Sequence, residues 1–300
     1  MTKEEKDIER TKLISLFQEN VAKSSLLVQK KKYKYDLKVY ENGDIGNPET
    51  DRVYPGSVVH LEAKGTTACA YGKTQILSEN EKVGVLCFAS ASNPGGGVQK
   101  GRYAQEESLC METSLYHSIT TMDAYGKFYY PNRSDMHAKM KFYPFKEMDN
   151  GRNRVKDIAG VVYSRRLLYV PNVFLTKILD RSGHEHHISI PDPPLVDVIC
   201  MAMPRFLSKI PKNSFNDEIY QVYKSSIEDV LKAFYKNGCT HIVLGAWGCG
   251  AFRNSPEMVA KAFKEVLDGG WIKSFKDVTF AIPVGKDSNY RIFKEILLPK

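Results

Sequence analysis

Two adjacent carboxylates, Glu106 and Glu107, close the stretch NPGGGVQKGRYAQEE (93–107), which opens with three consecutive glycines. Such a stretch has two readings. It is a surface loop whose acidic end offsets a helix dipole, or a loop folded around an anionic ligand with one carboxylate left to do chemistry. A second glycine-rich segment, GAWGCGAFRNSPE (245–257), has the same construction, with Gly245, Gly248 and Gly250 leading up to a capped helix. Successive backbone N–H groups in such strand-to-helix loops converge on anions, so two of them in one sheet suggest a diphosphate or dinucleotide-like ligand. Phe252, just after the glycines, is a candidate to pack on a ribose or base, or simply into the core.

Other motifs are weaker. GxGxxG is absent from both loops, and GTTACAYGKT (65–74) has six residues between its glycines where a phosphate-binding P-loop has four. HEHH (184–187) invites a metal reading, but it follows the turn DRSG, lies apart from both glycine loops and has no cysteine nearby. An exposed loop is expected there and no metal site. Cys69, Cys87, Cys110, Cys200, Cys239 and Cys249 are scattered, several within apolar runs, with no CxxC pair, which fits buried reduced thiols in a cytoplasmic protein.

The elements that must position the two loops are legible in part. Five β-branched apolar runs, at 83–90, 157–164, 196–203, 240–247 and 277–284, read as buried strands of a central sheet, with SVVHLEA (57–63) and the region of LKVYENG (37–43) as edge strands. Ile8, Leu13, Ile14, Phe17 and Val21 predict an amphipathic helix over about 3–24. QEESLCMETSLYHSIT (105–120) reads as a single helix, 216–236 as another ending at Gly238, and SPE (255–257) as the start of a third, with Ser255 capping and Pro256 in the first turn. The aromatic, basic stretch from about 121 to 156 lacks a pattern and reads as a long functional or disordered loop. Strands alternating with helices predict a layered α/β fold in one compact unit. No apolar run approaches a membrane span, and MTKEEKDIERTK has no signal-peptide core. The net charge of +8 is interspersed with acidic residues, so it permits nucleic acid as a partner without requiring it. A run at Lys30 to Lys34 reads as a solvated loop.

Taken together, LCFASASNPGGG, AQEESLC and SLYHSI, with LGAWGCGAF and NSPEMVAKAF in the second loop, resemble the microbial type of poly(ADP-ribose) glycohydrolase. The likeness runs from about Thr66 to Val284. It implies a three-layer α/β/α macrodomain-like fold with a central mixed sheet, formed by residues 61–300, with 1–60 as an N-terminal helical or extended region packed on it. It also implies a metal-independent hydrolase, without cofactor, that cuts the ribose–ribose bond of poly(ADP-ribose) on modified proteins and acts as a monomer. Carried across, Glu107 is the catalytic carboxylate and Glu106 the neighbour that holds ribose hydroxyls. Asn93, Gly95, Gly96 and Gly97 line the distal ribose. Gly248, Cys249, Gly250, Ala251 and Phe252 hold the diphosphate and its flanking sugars, with Gln105 and Gly245 also among the ADP-ribose-binding residues, so Gly248→Val would crowd the diphosphate. Burial beside Glu106 is expected to raise the pKa of Glu107, as a general acid requires. The alternatives are a macrodomain that binds ADP-ribose without turnover, and a hydrolase of terminal mono-ADP-ribose. Arg205, where the family pattern leads one to expect a small polar residue, is a departure, as is 177–190.

Overall fold

The computed structural model describes residues 2–31, 36–41, 44–46, 52–137, 140–149, 152–179, 187–285 and 289–299. Thr2 and Glu5 cap the opening helix α1 (Lys3–Lys30) by reciprocal hydrogen bonds. α1 continues past the expected end near residue 24 because its inward stripe changes character. Leu13 and Phe17 are followed by buried Asn20 and Ser24 before Val28, while Ile8 faces solvent. Asn20 Nδ2 donates to Cys110 O at 3.0 Å and Thr113 O at 2.7 Å, and its Oδ1 accepts from Thr176 Oγ1 at 2.6 Å. Removing an amide that satisfies three buried groups costs about 2–4 kcal/mol. We therefore expect Asn20→Ala to lower the urea-unfolding free energy by that amount; a loss below about 0.5 kcal/mol would make α1 a loosely held appendage.

After β1 (Lys38–Tyr40), β2 (Val58–Glu62), α2 (Thr66–Thr74) and β3 (Val83–Phe88) come α3 (Gln105–Glu112) and α4 (Leu115–Ile119). The single helix expected over 105–120 is thus two. Thr113 between them is extended, with φ −139° and ψ 173°, and forms a bridge to Leu175, which breaks the helical hydrogen bonding. The stretch expected to be irregular contains α5 (Met122–Ala124), one wide turn over Tyr125–Tyr129, α6 (Tyr130–His137) and the first strand of a long hairpin, β4 (Met140–Asp149) and β5 (Arg152–Val161). Then follow β6 (Leu167–Phe174), β7 (Lys177–Leu179), β8 (His187–Ser189), β9 (Leu195–Met201), β10 (Arg205–Phe206) and β11 (Ser214–Phe215). The chain ends through α7 (Asp217–Lys236), β12 (His241–Leu244), α8 (Pro256–Asp268), β13 (Asp277–Ala281) and α9 (Asn289–Leu297). Ser255 caps α8 as expected, and Asn216 caps α7.

The central sheet has the order β1-β6-β9-β3-β12-β13-β2, with β1 and β2 at its edges. From β9 to β2 the pairs are parallel, and β6 and β1 add antiparallel neighbours. Residue 60, the expected boundary of the N-terminal region, lies inside β2. Strand alternation divides the core. Leu86, Ile199 and Leu244 face the layer of α7, α8 and α9, while Val85, Val198 and Val243 face the layer of α1, α2, α3 and α4.

Two expectations about strands are corrected. The run at 157–164 is not in the central sheet: it is the end of β5, in a separate sheet of order β10-β5-β4-β11. Arg154 and Lys156 in its first half and Asp157 just beyond are exposed, which a strand covered on both faces would not allow. The central strand that takes its place, β6, escapes the pattern because Pro171 and Asn172 interrupt it. Asn172 has φ +54°, and the register with β9 shifts between Val170 and Val173. His184 to His186 and Lys32 to Tyr35 lie outside the described residues. Among the described residues no helix is long and apolar enough to cross a membrane, and no group of three or more His, Cys, Asp and Glu is placed to hold a metal ion.

Candidate active site

Both glycine loops leave the C-terminal ends of neighbouring parallel strands, β3 and β12, the position where α/β sheets bind ligands. β12 pairs with β3 only along Val83 to Val85. Beyond it, the Gln105 side chain takes over the edge: its Oε1 accepts from Phe88 N–H at 2.8 Å and its Nε2 donates to Leu86 O at 2.8 Å, with Thr66 Oγ1 at 3.3 Å. Gln105 thus fixes the start of α3 to the sheet, and its amide is spent on the backbone.

The two carboxylates that follow are buried and unequal. Glu106 accepts at both oxygens, from Ser90 N–H at 2.7 Å and Gly95 N–H at 3.1 Å. Glu107 accepts from Gly97 N–H at 2.8 Å through Oε1, and its Oε2 has no partner among the described residues. Gly95 and Gly96 are left-handed, with φ +68° and +59°. A Cβ on Gly96 would sit 2.5 Å from Glu107 Oε1 and 3.0 Å from Glu106 Oε2. The glycines therefore wrap the carboxylates first, and the N–H groups of Gly95, Gly96 and Gly97 are all used within the protein. Asn93 is exposed at the loop's tip, where Arg133 of α6 donates to its Oδ1 at 3.3 Å and to Ser92 O at 2.7 Å. Burial, and then the charge of Glu107, push Glu106 up to about 8 against the pull of its two N–H donors.

The second loop is built differently. Trp247 Nε1 donates to Met201 O at 3.2 Å, and buried Asn254 donates to Gly248 O at 2.9 Å and Pro204 O at 2.7 Å while accepting from Tyr223 at 2.6 Å. So anchored, the loop leaves the N–H groups of Gly248, Gly250, Ala251 and Phe252 without acceptors among the described residues. The sequence expected convergent free N–H groups in both loops, and among the described residues they are found in this one. Gly250 is exposed with nothing within 4 Å of a built Cβ. Gly245 lies beneath, its Cβ position 2.8 Å from Ala281 O and 2.9 Å from the Phe88 ring. The Cys249 thiol is pushed up by burial and stays neutral. The loops meet through Ala91, Tyr163 and Phe252, the last two with ring centroids 6.4 Å apart.

Three residues at this site went unnoticed in the sequence. Arg133 and Asn254, the latter inside the second glycine segment but given no role there, are defined by the backbone they clamp. Tyr129, in the aromatic stretch, is fully buried with a hydroxyl that has no partner among the described residues, and burial followed by the charge of Glu106 pushes its ionisation upward.

The family model described as "Microbial-type PARG, catalytic domain" (PARG, poly(ADP-ribose) glycohydrolase) matches residues 14–177. Among solved structures, the poly(ADP-ribose) glycohydrolase of Deinococcus radiodurans in complex with ADP-ribose is similar at 27% identity and a TM-score of 0.67, over 87% of this chain and 94% of that one. The enzyme from Thermomonospora curvata, at 23% identity, shares the fold with a TM-score of 0.69 over 96% and 99% of the two chains. No curated protein matches the sequence. With more than half of its length under the family model, and its mixed sheet and flanking helices matching macrodomain-like relatives, the chain belongs to the microbial-type poly(ADP-ribose) glycohydrolases.

Proposed function

We propose that this protein hydrolyses the ribose–ribose O-glycosidic bond of poly(ADP-ribose) on modified proteins and releases ADP-ribose, with Glu107 as the acid and then the base. The observation that carries this reading is the inequality of the pair: Glu107 Oε1 is pinned by Gly97 N–H at 2.8 Å and its Oε2 has no partner among the described residues, whereas Glu106 has both oxygens occupied. A proton shared by the pair reaches a ligand only through Glu107 Oε2. It passes to the bridging oxygen as the bond to the anomeric carbon breaks, and the bonding electrons leave with that oxygen as an alcohol. The resulting cation faces the Glu107 carboxylate, which takes a proton from the attacking water and restores the starting state. The N–H groups of Gly248, Gly250, Ala251 and Phe252, unpartnered among the described residues, take the diphosphate, which holds the distal ribose against the first loop. A protein that only binds ADP-ribose has use for the second loop, but none for a buried carboxyl with a free oxygen.

The test is release of ADP-ribose from automodified, ADP-ribosylated protein, followed against pH. A raised carboxyl holds its proton below its pKa and loses it above. With Glu106 at about 8, kcat/KM is therefore expected to fall about tenfold per pH unit as pH rises beyond that value. Persistence of the label on modified protein that the chain still binds would leave a binding module in place of an enzyme.

A further inference from the structure

The sheet formed by β10, β5, β4 and β11 buries Tyr143, Phe145, Ile158 and Phe206 in the core beside α7. Its other face continues outward from the candidate site. Directly paired residues of antiparallel strands share a face, so Arg205, Val161 and Met140 form one row and Ala159 and Phe142 the next. The inner row touches the active site. Val161 is buried with Ala91 of the first loop and with Tyr163 and Ala202, against Phe252 of the second. Arg205 is hydrogen-bonded to Tyr163 and has no carboxylate partner among the described residues. Outward, burial ceases while apolar character continues for one row: Met140 is 59% exposed and Phe142 73%, and the next row, Pro144 with exposed Asp157, ends the strip. A contiguous apolar strip leading from a ligand site, with an unpaired cation at its inner end, is a docking surface and not scattered surface apolarity.

We propose that this face is a subsite for the neighbouring ADP-ribosyl unit of the same chain, the one joined to the bound unit through the bond that is cut. Arg205 meets a phosphate of that unit, and Phe142 provides a platform for its adenine. The two residues lie two strands and two positions apart, about 12 Å between backbones at sheet spacings of about 4.8 Å and 3.4 Å. An arginine side chain and a nucleotide bridge that distance together. Unpaired cation beside exposed aromatic is the combination that binds single-stranded polyanions bearing bases. This subsite rests on the function proposed above, and it makes the protein prefer chains to single ADP-ribose units.

The experiment compares Phe142→Ser and Arg205→Ser with the parent in KM for long chains, in kcat, and in ADP-ribose affinity by calorimetry. Chain affinity is also measured by fluorescence anisotropy in a Glu107→Gln background. Phe142→Ser should weaken chain binding and raise the chain KM about 5- to 100-fold, with kcat and ADP-ribose affinity unchanged. Arg205→Ser should flatten the salt dependence of chain binding. Equal chain affinity with and without Phe142 overturns the proposal, and a variant that alters only self-association in light scattering overturns it in favour of a protein interface. If chains bind to this face but the parent releases no ADP-ribose, the hydrolytic reading fails and the subsite stands.

Discussion

Glu107→Gln is expected to lower kcat by at least about 10²–10⁴-fold, the range for loss of a positioned general acid, while ADP-ribose affinity and thermal stability stay near those of the parent. The geometry makes the exchange isosteric at this position and not at its neighbour. The carbonyl oxygen of the new amide still accepts from Gly97 N–H, and its NH₂ takes the place of Oε2, which has no partner to lose among the described residues. Glu106→Gln is different, because both oxygens accept N–H groups and one of them would then face an NH₂ donor. That variant should lose about 1–3 kcal/mol of stability along with activity. Single-turnover kinetics, calorimetry and thermal melts on both variants check this. A Glu107→Gln protein that keeps its rate removes the acid from Glu107, and one that loses binding and rate together makes the residue a ligand contact only.

Gly250→Val should raise the Kd for ADP-ribose about 10- to 100-fold, by covering N–H groups that would each give about 1.5–3 kcal/mol to a charged acceptor, and leave the fold intact. A side chain there enters open space and requires no left-handed backbone. The sequence pointed to Gly248 for this crowding, but a side chain at Gly248 would strike the protein first. Its φ is +75°, and a Cβ would stand 2.6 Å from Asn254 Nδ2 and 2.9 Å from Met203 Cβ. Gly248→Val should therefore cost stability, of the order of 1–3 kcal/mol for strain in the loop, and confound any reading of affinity. Calorimetry paired with thermal melts separates the two. If Gly250→Val binds ADP-ribose as the parent does, the second loop does not hold the diphosphate.

What the sequence made legible follows from how locally each feature is encoded. Buried parallel strands such as β3, β9, β12 and β13 are short apolar runs, and α7 and α8 carry their own caps, so they stand out in a single pass. β6 was hidden because a bulge at Pro171 and Asn172 spoils its alternation, and the end of β5 imitated a central strand because its last residues are apolar. The carboxylate pair and both glycine loops were visible as composition and spacing. Their division of labour was not, since it depends on which N–H groups the protein itself consumes. Gly96 looks like a place for a ligand, yet the atoms nearest its missing side chain are carboxylate oxygens from ten and eleven residues further along.

The grip of Gln105 on β3 bears on how this site can be altered. Since the amide of Gln105 is registered to Leu86 and Phe88, the start of α3 is indexed to the sheet, and the carboxylates that follow are held from the other side by the N–H groups of Ser90, Gly95 and Gly97. Lengthening the chain between buried Val98 and Gln105 would therefore leave both sets of contacts in place, provided that Gly101 keeps its close approach to Arg10 of α1. Redesign of substrate reach can begin in that stretch without rebuilding the chemistry.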